Sequence, residues 1–386
     1  MKIAAYAIAK NEAHNAREWY DNVRDADGVY VLDTGSGDGT VEKLRGLGCV
    51  VETRRGGRPA GELINLKPGL CRDNFRFDVA RNTALAMVPD DVDVCVAVDL
   101  DQRLSDGWRD ALEREWIPDA THGRFVIHWS PGEDLLYHHI HARRGAEWRG
   151  AVHEQVRFDR PAVHVMLNGL EMWHKPDTGK PRNYYLELAK IAAFEEPDSI
   201  PARFFYARAL FNAGRYGDCR WEFRQFLKMK GLSGENVMKA WLYIAECDER
   251  IAVRDKKPHE IAEVYADYRN AINAWPHIRD PFLAFAEFAG RQGDFAAVYL
   301  YAKHSLTINN KSSAYGNPTA CFGWRPFDLV AQGAARMGLT AEALHYERRA
   351  LEMEPPEGER ERIVKNIRQL ETPVCRAATD GNKNLE

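Results

Sequence analysis

Asp91-Val-Asp-Val-Cys-Val-Ala-Val-Asp-Leu-Asp101 is an apolar run that ends in two carboxylates, Asp99 and Asp101, spaced i and i+2. Val92–Val98 has the length and β-branched content of a buried strand. Side chains alternate across a strand, so both aspartates are expected on one face at its carboxyl end. Two neighbouring carboxylates repel, and a divalent cation between them relieves the repulsion. The edge beyond the carboxyl ends of strands is also where open α/β sheets bind ligands. The expectation is a metal holding a polyphosphate; the competing reading is a pair of solvated loop aspartates.

Around this run the first half alternates strand and helix signals. Ile3–Ala9, Gly28–Leu32 and Cys49–Thr53 read as strands; Asn11–Val23, Val41–Leu47 and Phe75–Met87 read as helices. The cluster Asp33-Thr-Gly-Ser-Gly-Asp-Gly-Thr40 is a turn and helix start after the second strand. Such alternation predicts a mostly parallel sheet with helices on both faces. From about residue 122 to 175 the pieces Arg124–Trp129, Leu135–Arg143 and Val152–Phe158 are strand-like and rich in His and Trp. They are expected to be an antiparallel addition that completes the site.

From about residue 182 the period is helical and Ala-rich. Tyr206–Gly214, Phe285–Gly293 and Leu329–Gly338 resemble one another, and each leads through a glycine turn into a second helix (Asp218–Leu227, Phe295–Leu306 and Ala341–Leu351). A helix, glycine turn and helix of about 34 residues is the degenerate tetratricopeptide pattern. Its Ala and Gly positions are expected at helix crossings. Val237–Ile251 and Ile261–Ala274 supply a further pair. The expected division is a first domain over 1–180, a tetratricopeptide-like helical repeat domain over 181–375 and a disordered tail over 376–386.

The chain has 386 residues, 45% of them hydrophobic and 11% aromatic, with a net charge of −4. No global basic field points to nucleic acid or an anionic membrane. The seven cysteines form no C-x-x-C pair, which fits buried thiols in a reducing compartment. No segment has the roughly 18 apolar residues of a membrane span. A cytoplasmic protein is expected.

Several first-half residues suit one anionic ligand. Asp33 opens the Gly-rich turn, where its carboxylate can accept from a base or ribose. Arg81 and Asn82 offer a fork of donors for phosphate or a uracil ring; Arg81 paired with Asp78 on a helix surface is the competing reading. Trp148, His153 and Glu154 stand together in Trp148-Arg-Gly-Ala-Val-His-Glu154, with His153 and Glu154 expected to start a short strand. His174 is a further candidate metal ligand or phosphate donor.

In Ile8-Ala-Lys-Asn-Glu12, Val31–Thr40, Ala80-Arg-Asn82 and Val98-Asp-Leu-Asp101, taken in this order, the first 110 residues or so resemble the family-2 glycosyltransferases of the GT-A fold. Trp148–Glu154 and His174–Asn183 resemble a subgroup with a tetratricopeptide C-terminal domain, the bacteriocin-peptide S-glycosyltransferases among them. The resemblance implies an α/β GT-A fold, a Rossmann-like nucleotide-diphospho-sugar transferase with a mixed sheet, followed by an all-α repeat domain. It also implies that Glu12 and Asp33 contact a nucleoside, that Arg81 lies near the base or diphosphate, and that Asp99 faces the ribose. Asp101, assisted by His174, would bind Mn²⁺ or Mg²⁺. Glu154 would be the catalytic base beside Trp148 and His153, with Asp134 its rival.

The expected function is a metal-dependent inverting glycosyltransferase using a nucleotide-sugar donor, most often UDP-linked, on a peptide or protein side chain. A hydroxylated DNA base or a saccharide is the alternative acceptor. The alternative of another class is a non-catalytic repeat-domain scaffold. Stacked helical pairs suit peptide recruitment or homodimer formation. The long segment Asn309–Pro326 and the basic cluster Arg54-Arg55-Gly-Gly-Arg58 are further candidates, for framing the acceptor and for binding an anion.

Overall fold

A computed structural model describes residues 1–54, 75–130, 133–175, 185–256, 261–312 and 319–372. The chain forms two compact units, one of Met1–Ala274 and one that begins with Trp275–Lys311 and continues through the helices after it.

The first unit is built on an eight-stranded sheet. Its strands are β1 (Ile3–Ala9), β2 (Gly28–Asp33), β3 (Val50–Thr53), β4 (Val94–Ala97), β5 (Gln102–Leu104), β6 (His122–Ser130), β7 (Glu133–Ala142) and β10 (His164–His174). Their spatial order is β3-β2-β1-β4-β7-β6-β10-β5. The first four are parallel. Beyond them β4 and β7 are antiparallel, as are β7 and β6; β6 and β10 are parallel, and β5 closes the edge antiparallel to β10. The expected class is corrected here. The parallel pairing of the first four strands does not establish a Rossmann-like or GT-A domain, and the outer half is not the expected antiparallel addition, since β10, an eleven-residue strand absent from the sequence reading, runs parallel to β6.

Side chains on the two faces of β1 and β4 enter different cores. Ile3, Ala5, Val94 and Val96 pack with Trp19 of α1 (Ala16–Val23) and Trp108 of α4 (Trp108–Glu115). Ala4, Tyr6, Cys95 and Ala97 pack with α3 (Phe77–Ala86) and with Trp148 of a separate hairpin, β8 (Ala146–Arg149) and β9 (Gln155–Phe158). The loop of that hairpin seats Ala151 and Val152 against Leu188 and Ile191 of α5 (Tyr185–Glu195). Arg76, buried before α3, binds Asp78 and both carboxylate oxygens of Glu195, at 2.5 and 2.7 Å. These contacts fix the hairpin, and the loop that carries Glu154, against the sheet.

Besides α2 (Thr40–Leu47), the rest of the first unit is helical: α6 (Ile200–Asn212), α7 (Tyr216–Phe226), α8 (Gly234–Arg254) and α9 (Ile261–Ala274). Phe204, Phe223, Phe226 and Ile244 form its core. The second unit contains α10 (Asp280–Arg291), α11 (Phe295–Ser305), the short α12 (Thr319–Phe322), α13 (Arg325–Arg336), α14 (Thr340–Glu352) and α15 (Glu357–Glu371). The three predicted glycine turns are present. Gly214, Gly293 and Gly338 have φ of 71°, 79° and 77°, a left-handed conformation that glycine adopts without steric cost. Among the described residues no helix is long and apolar enough to cross a membrane. The five described cysteines, 49, 95, 219, 247 and 321, are buried.

The expectation that small residues lie at helix crossings is met at Gly333 of α13. A Cβ there would stand 2.7 Å from the backbone nitrogen and 2.8 Å from the Cβ of Tyr299 on α11. Gly333→Ala is therefore expected to lower stability by roughly 1–3 kcal/mol through overpacking, despite the better helix propensity of alanine. Urea denaturation checks this, and an unchanged or raised midpoint would contradict it.

Candidate functional site

The strand directions collect the candidate residues at one edge. β1, β2, β4, β6 and β10 all end there, and the antiparallel β7 begins there. That edge carries the loop after β1 with Glu12, the turn opened by Asp33, the Asp99–Asp101 segment, His128 and Trp129, Asp134, and His174.

Arg81, projecting from α3, is its centre. Nη1 and Nη2 donate to Oδ1 and Oδ2 of Asp99 at 2.6 and 2.8 Å, and Nε donates to Oε1 of Glu154 at 2.9 Å. Asp78 pairs with Arg76 instead. The guanidinium lies over Trp148, 5.3 Å from the ring centroid. Asn82 clamps Trp148 by two backbone bonds of 2.8 Å, and the indole Nε1 donates to the Tyr6 hydroxyl at 2.6 Å. Burial raises the Glu154 carboxyl above its ordinary range, and Arg81 opposes that rise. Burial likewise raises Tyr137, which hydrogen-bonds Gln102 and feels the charges of Asp99, Arg81 and Glu154. His139 lies 4.0 Å from the Tyr137 ring and 4.9 Å from Trp148, and burial drives its pKa well down.

The two aspartates do not behave as a strand pair. β4 ends at Ala97, and a turn follows in which the Gln102 N–H donates to the Asp99 carbonyl while Gln102 Oε1 accepts from the Asp99 N–H. Arg81 neutralises Asp99, so the repulsion that argued for a cation between the two carboxylates is relieved by an arginine 18 residues earlier. Asp101 is directed elsewhere. Its Oδ2 lies 3.4 Å from Nε2 of His174, whose ring stacks on Trp129 at 4.1 Å. The register of β5 against β10, with Gln102 opposite His174, sets this meeting. Among the described residues no group of three or more His, Cys, Asp or Glu side chains is placed to hold a metal ion.

Asp33 is spent on its own loop, accepting from the Gly35 and Ser36 N–H groups at 3.0 Å. Glu12 is buried and accepts from Asn15 at 2.9 Å, with its N–H on Thr40. Asn11, at φ 54°, accepts from the Gly37 N–H and donates its own to Ser36, stapling this loop to the Asp33 turn. His153 does not start a strand. At φ 54° it precedes β9, and its ring stacks on Phe205 of α6 at 3.9 Å. Asp134 bonds His128 Nδ1 at 2.8 Å. Arg55–Arg58, residues 313–318, residues 176–184 and the tail lie outside the described residues. Sequence reading missed Tyr137, His139, Gln102 and Trp129. The run His138-His-Ile-His141 was the available signal, because alternate histidines on a strand enter the same layer.

No known family model matches the chain, and none of the curated proteins does. Among solved structures it is similar to MamA, with 14% identity over 45% of this chain and 83% of that one and a TM-score of 0.34. It is similar to TTC0263, a thermophilic TPR protein of Thermus thermophilus, with 16% identity over 48% of this chain and 90% of that one and a TM-score of 0.36. It is also similar to YrrB, a TPR protein described as having an unusual peptide-binding site, with 12% identity, 48% and 82% coverage and a TM-score of 0.35. The resemblance to family-2 and bacteriocin-peptide S-glycosyltransferases is corrected accordingly. No family model or curated protein supports it, and two of the similar structures named above are described as TPR proteins. The GT-A class, the UDP-linked donor and the D-x-D metal motif fall with it.

Arg81→Met would leave Asp99 and the buried Glu154 without their cation. A stability loss of about 3 kcal/mol or more is expected, and adding Glu154→Gln should restore part of it. Chemical denaturation of the two variants checks this; equal stability of Arg81→Met and wild type would show that the network holds nothing together.

Proposed function

We propose that the chain is a binding protein whose helical pairs recruit a peptide or protein segment. The observation that carries this reading is the helix, left-handed glycine and helix unit, which recurs at Gly214, Gly293 and Gly338. Stacked pairs of this kind present extended surfaces rather than closed pockets, as peptide recognition needs. In the first unit such surfaces carry large exposed apolar groups: Phe194 of α5 is 85% exposed and Trp221 of α7 is 56% exposed. Selection of displayed random 16-residue peptides on the full chain tests the proposal. Selected peptides should bind with micromolar Kd and lose at least tenfold in affinity on Trp221→Asp or Phe194→Asp, with unchanged circular dichroism. Failure of selection to enrich any peptide over an unrelated control protein would remove the reading. Self-association lost in the same variants would replace it with a homodimer.

A second reading treats the sheet edge as a reaction centre, so that the chain is an enzyme. It is favoured by Glu154, a buried carboxyl with raised proton affinity, held by Arg81 at the carboxyl edge of the sheet. Mn²⁺ or Mg²⁺ would be held by Asp101 and His174. One carboxylate and one imidazole suit Mn²⁺ better than Mg²⁺, and a hard cation takes its remaining ligands from water or phosphate oxygen. The cation would supply Lewis acidity toward such an oxygen. Glu154 would accept a proton from a nucleophile, and Arg81 would keep its carboxylate in place. Thermal unfolding with and without Mn²⁺ separates the two readings. The enzyme reading expects a Tm rise of several degrees in wild type and in Glu154→Gln, and none in Asp101→Asn or His174→Ala. An equal rise in all four proteins would assign the cation to another place.

A further inference from the structure

Of the acids buried in the second unit, Asp328 and Glu347 lie against α15 and no part of the proposed function uses them. Asp328 of α13 is fully buried, and Oδ2 accepts from three donors: Arg325 Nη1 at 2.8 Å, Gln332 Nε2 at 2.8 Å and Arg362 Nη2 at 2.9 Å. Its Oδ1 is buried with no hydrogen-bond partner among the described residues. Glu347 of α14, also buried, accepts at Oε1 from Asn366 Nδ2 at 2.8 Å, and its Oε2 has no partner among the described residues. Arg362 and Asn366 both belong to α15, so this helix is tied to the body of the unit through the two acids. Apolar anchoring of α15 is slight: Ile363 is its one fully buried residue, and its sequence Glu-Gly-Glu-Arg-Glu-Arg-Ile-Val-Lys-Asn-Ile-Arg-Gln-Leu-Glu is largely polar.

We propose that α15 is a proton-gated cap, seated while Glu347 is neutral and released when Glu347 ionises. An ionised Glu347 would place a second negative charge beside Asp328 in a dry layer, where an unpaired charge is costly. The charged groups that face it are already engaged. Arg325 and Arg362 converge on Asp328 Oδ2, Glu359 holds Arg362, and Glu287 holds Arg325. A bare Oε2 can regain hydrogen bonds from water once α15 lifts. Burial first, and then the charge of Asp328, push the Glu347 carboxyl up to about 7, against the aid of Asn366 and Arg362. The folded group thus binds its proton more tightly than the unfolded one, whose ordinary carboxyl range lies near ~4.3. Stability from this group is complete below that range and is lost as pH rises through about 7.

A whole-protein denaturation curve would not isolate the effect, because Asp267 of the first unit is also pushed up to about 7, by burial and its neighbour Asp248. The test is hydrogen exchange of α15 amides in the full chain, corrected for intrinsic rate, at pH 5.5 and pH 8.5. Protection of α15 in wild type should fall at least tenfold at the higher pH while α10 and α11 keep theirs, and Glu347→Gln should hold α15 protected at both. Constant α15 protection in wild type would overturn the proposal, and so would an equal fall in Glu347→Gln. Constant wild-type protection overturns the proposal even if Glu347→Gln does not fold, and Glu347→Ala then takes the place of that variant, with α15 protection expected to be independent of pH.

Discussion

One guanidinium organises the sheet edge. Arg81 satisfies two carboxylates from different parts of the chain, Asp99 after β4 and Glu154 in the β8–β9 hairpin loop, while its face rests on Trp148. A buried arginine is tolerable because its charge is matched twice and its planar fork lets one carboxylate bind bidentately. The consequence is mutual confinement. Trp148 is held by Asn82 and Tyr6, Glu154 by Arg81, and the hairpin that bears both is pressed on α5. Loss of the cation would leave two acids and an aromatic wall without a common partner.

The helical segments rely on a different constraint, close approach. Left-handed glycines turn three of the helical pairs, and Gly333 admits the Tyr299 backbone at a distance that excludes a methyl group. Packing this tight fixes position at the cost of tolerance, which is why one added methyl is felt. Acids buried between such helices have little room to move. Asp248 with Asp267 in the first unit, and Asp328 with Glu347 in the second, sit among arginines rather than in water.

Legibility in the sequence followed range. The turns at Gly214, Gly293 and Gly338, the strand Ile3–Ala9 and the helix at Phe77–Ala86 depend on local pattern, and the sequence reading placed them to within a few residues. β5 and β10 escaped it. Three residues carry too little periodicity to register, and β10, whose sequence His-Val-Met-Leu-Asn-Gly-Leu-Glu-Met-Trp-His has an interior glycine and a register shift against β6, breaks strand alternation. The family resemblance rested on short motifs such as Asp33–Thr40, and those motifs serve local structure here: Asp33 caps its own turn and Thr40 takes the Glu12 N–H.

The pair Asp99 and Asp101 shows how a sound electrostatic premise can lead to the wrong partner. Two adjacent carboxylates do need relief, but spacing alone does not say whether a cation or an arginine provides it. Arg81 lies 18 residues upstream on a helix, and only the packing of α3 on β1 and β4 brings it to Asp99. Once Asp99 is taken, Asp101 must answer to another group, and the β5–β10 register supplies His174 from 73 residues downstream. The two aspartates thus belong to separate networks, one closed around Arg81 and one open toward Trp129 and His174. The meeting of Asp101 with His174 therefore depends on the pairing of the outermost strand rather than on the apolar run that ends in the two carboxylates.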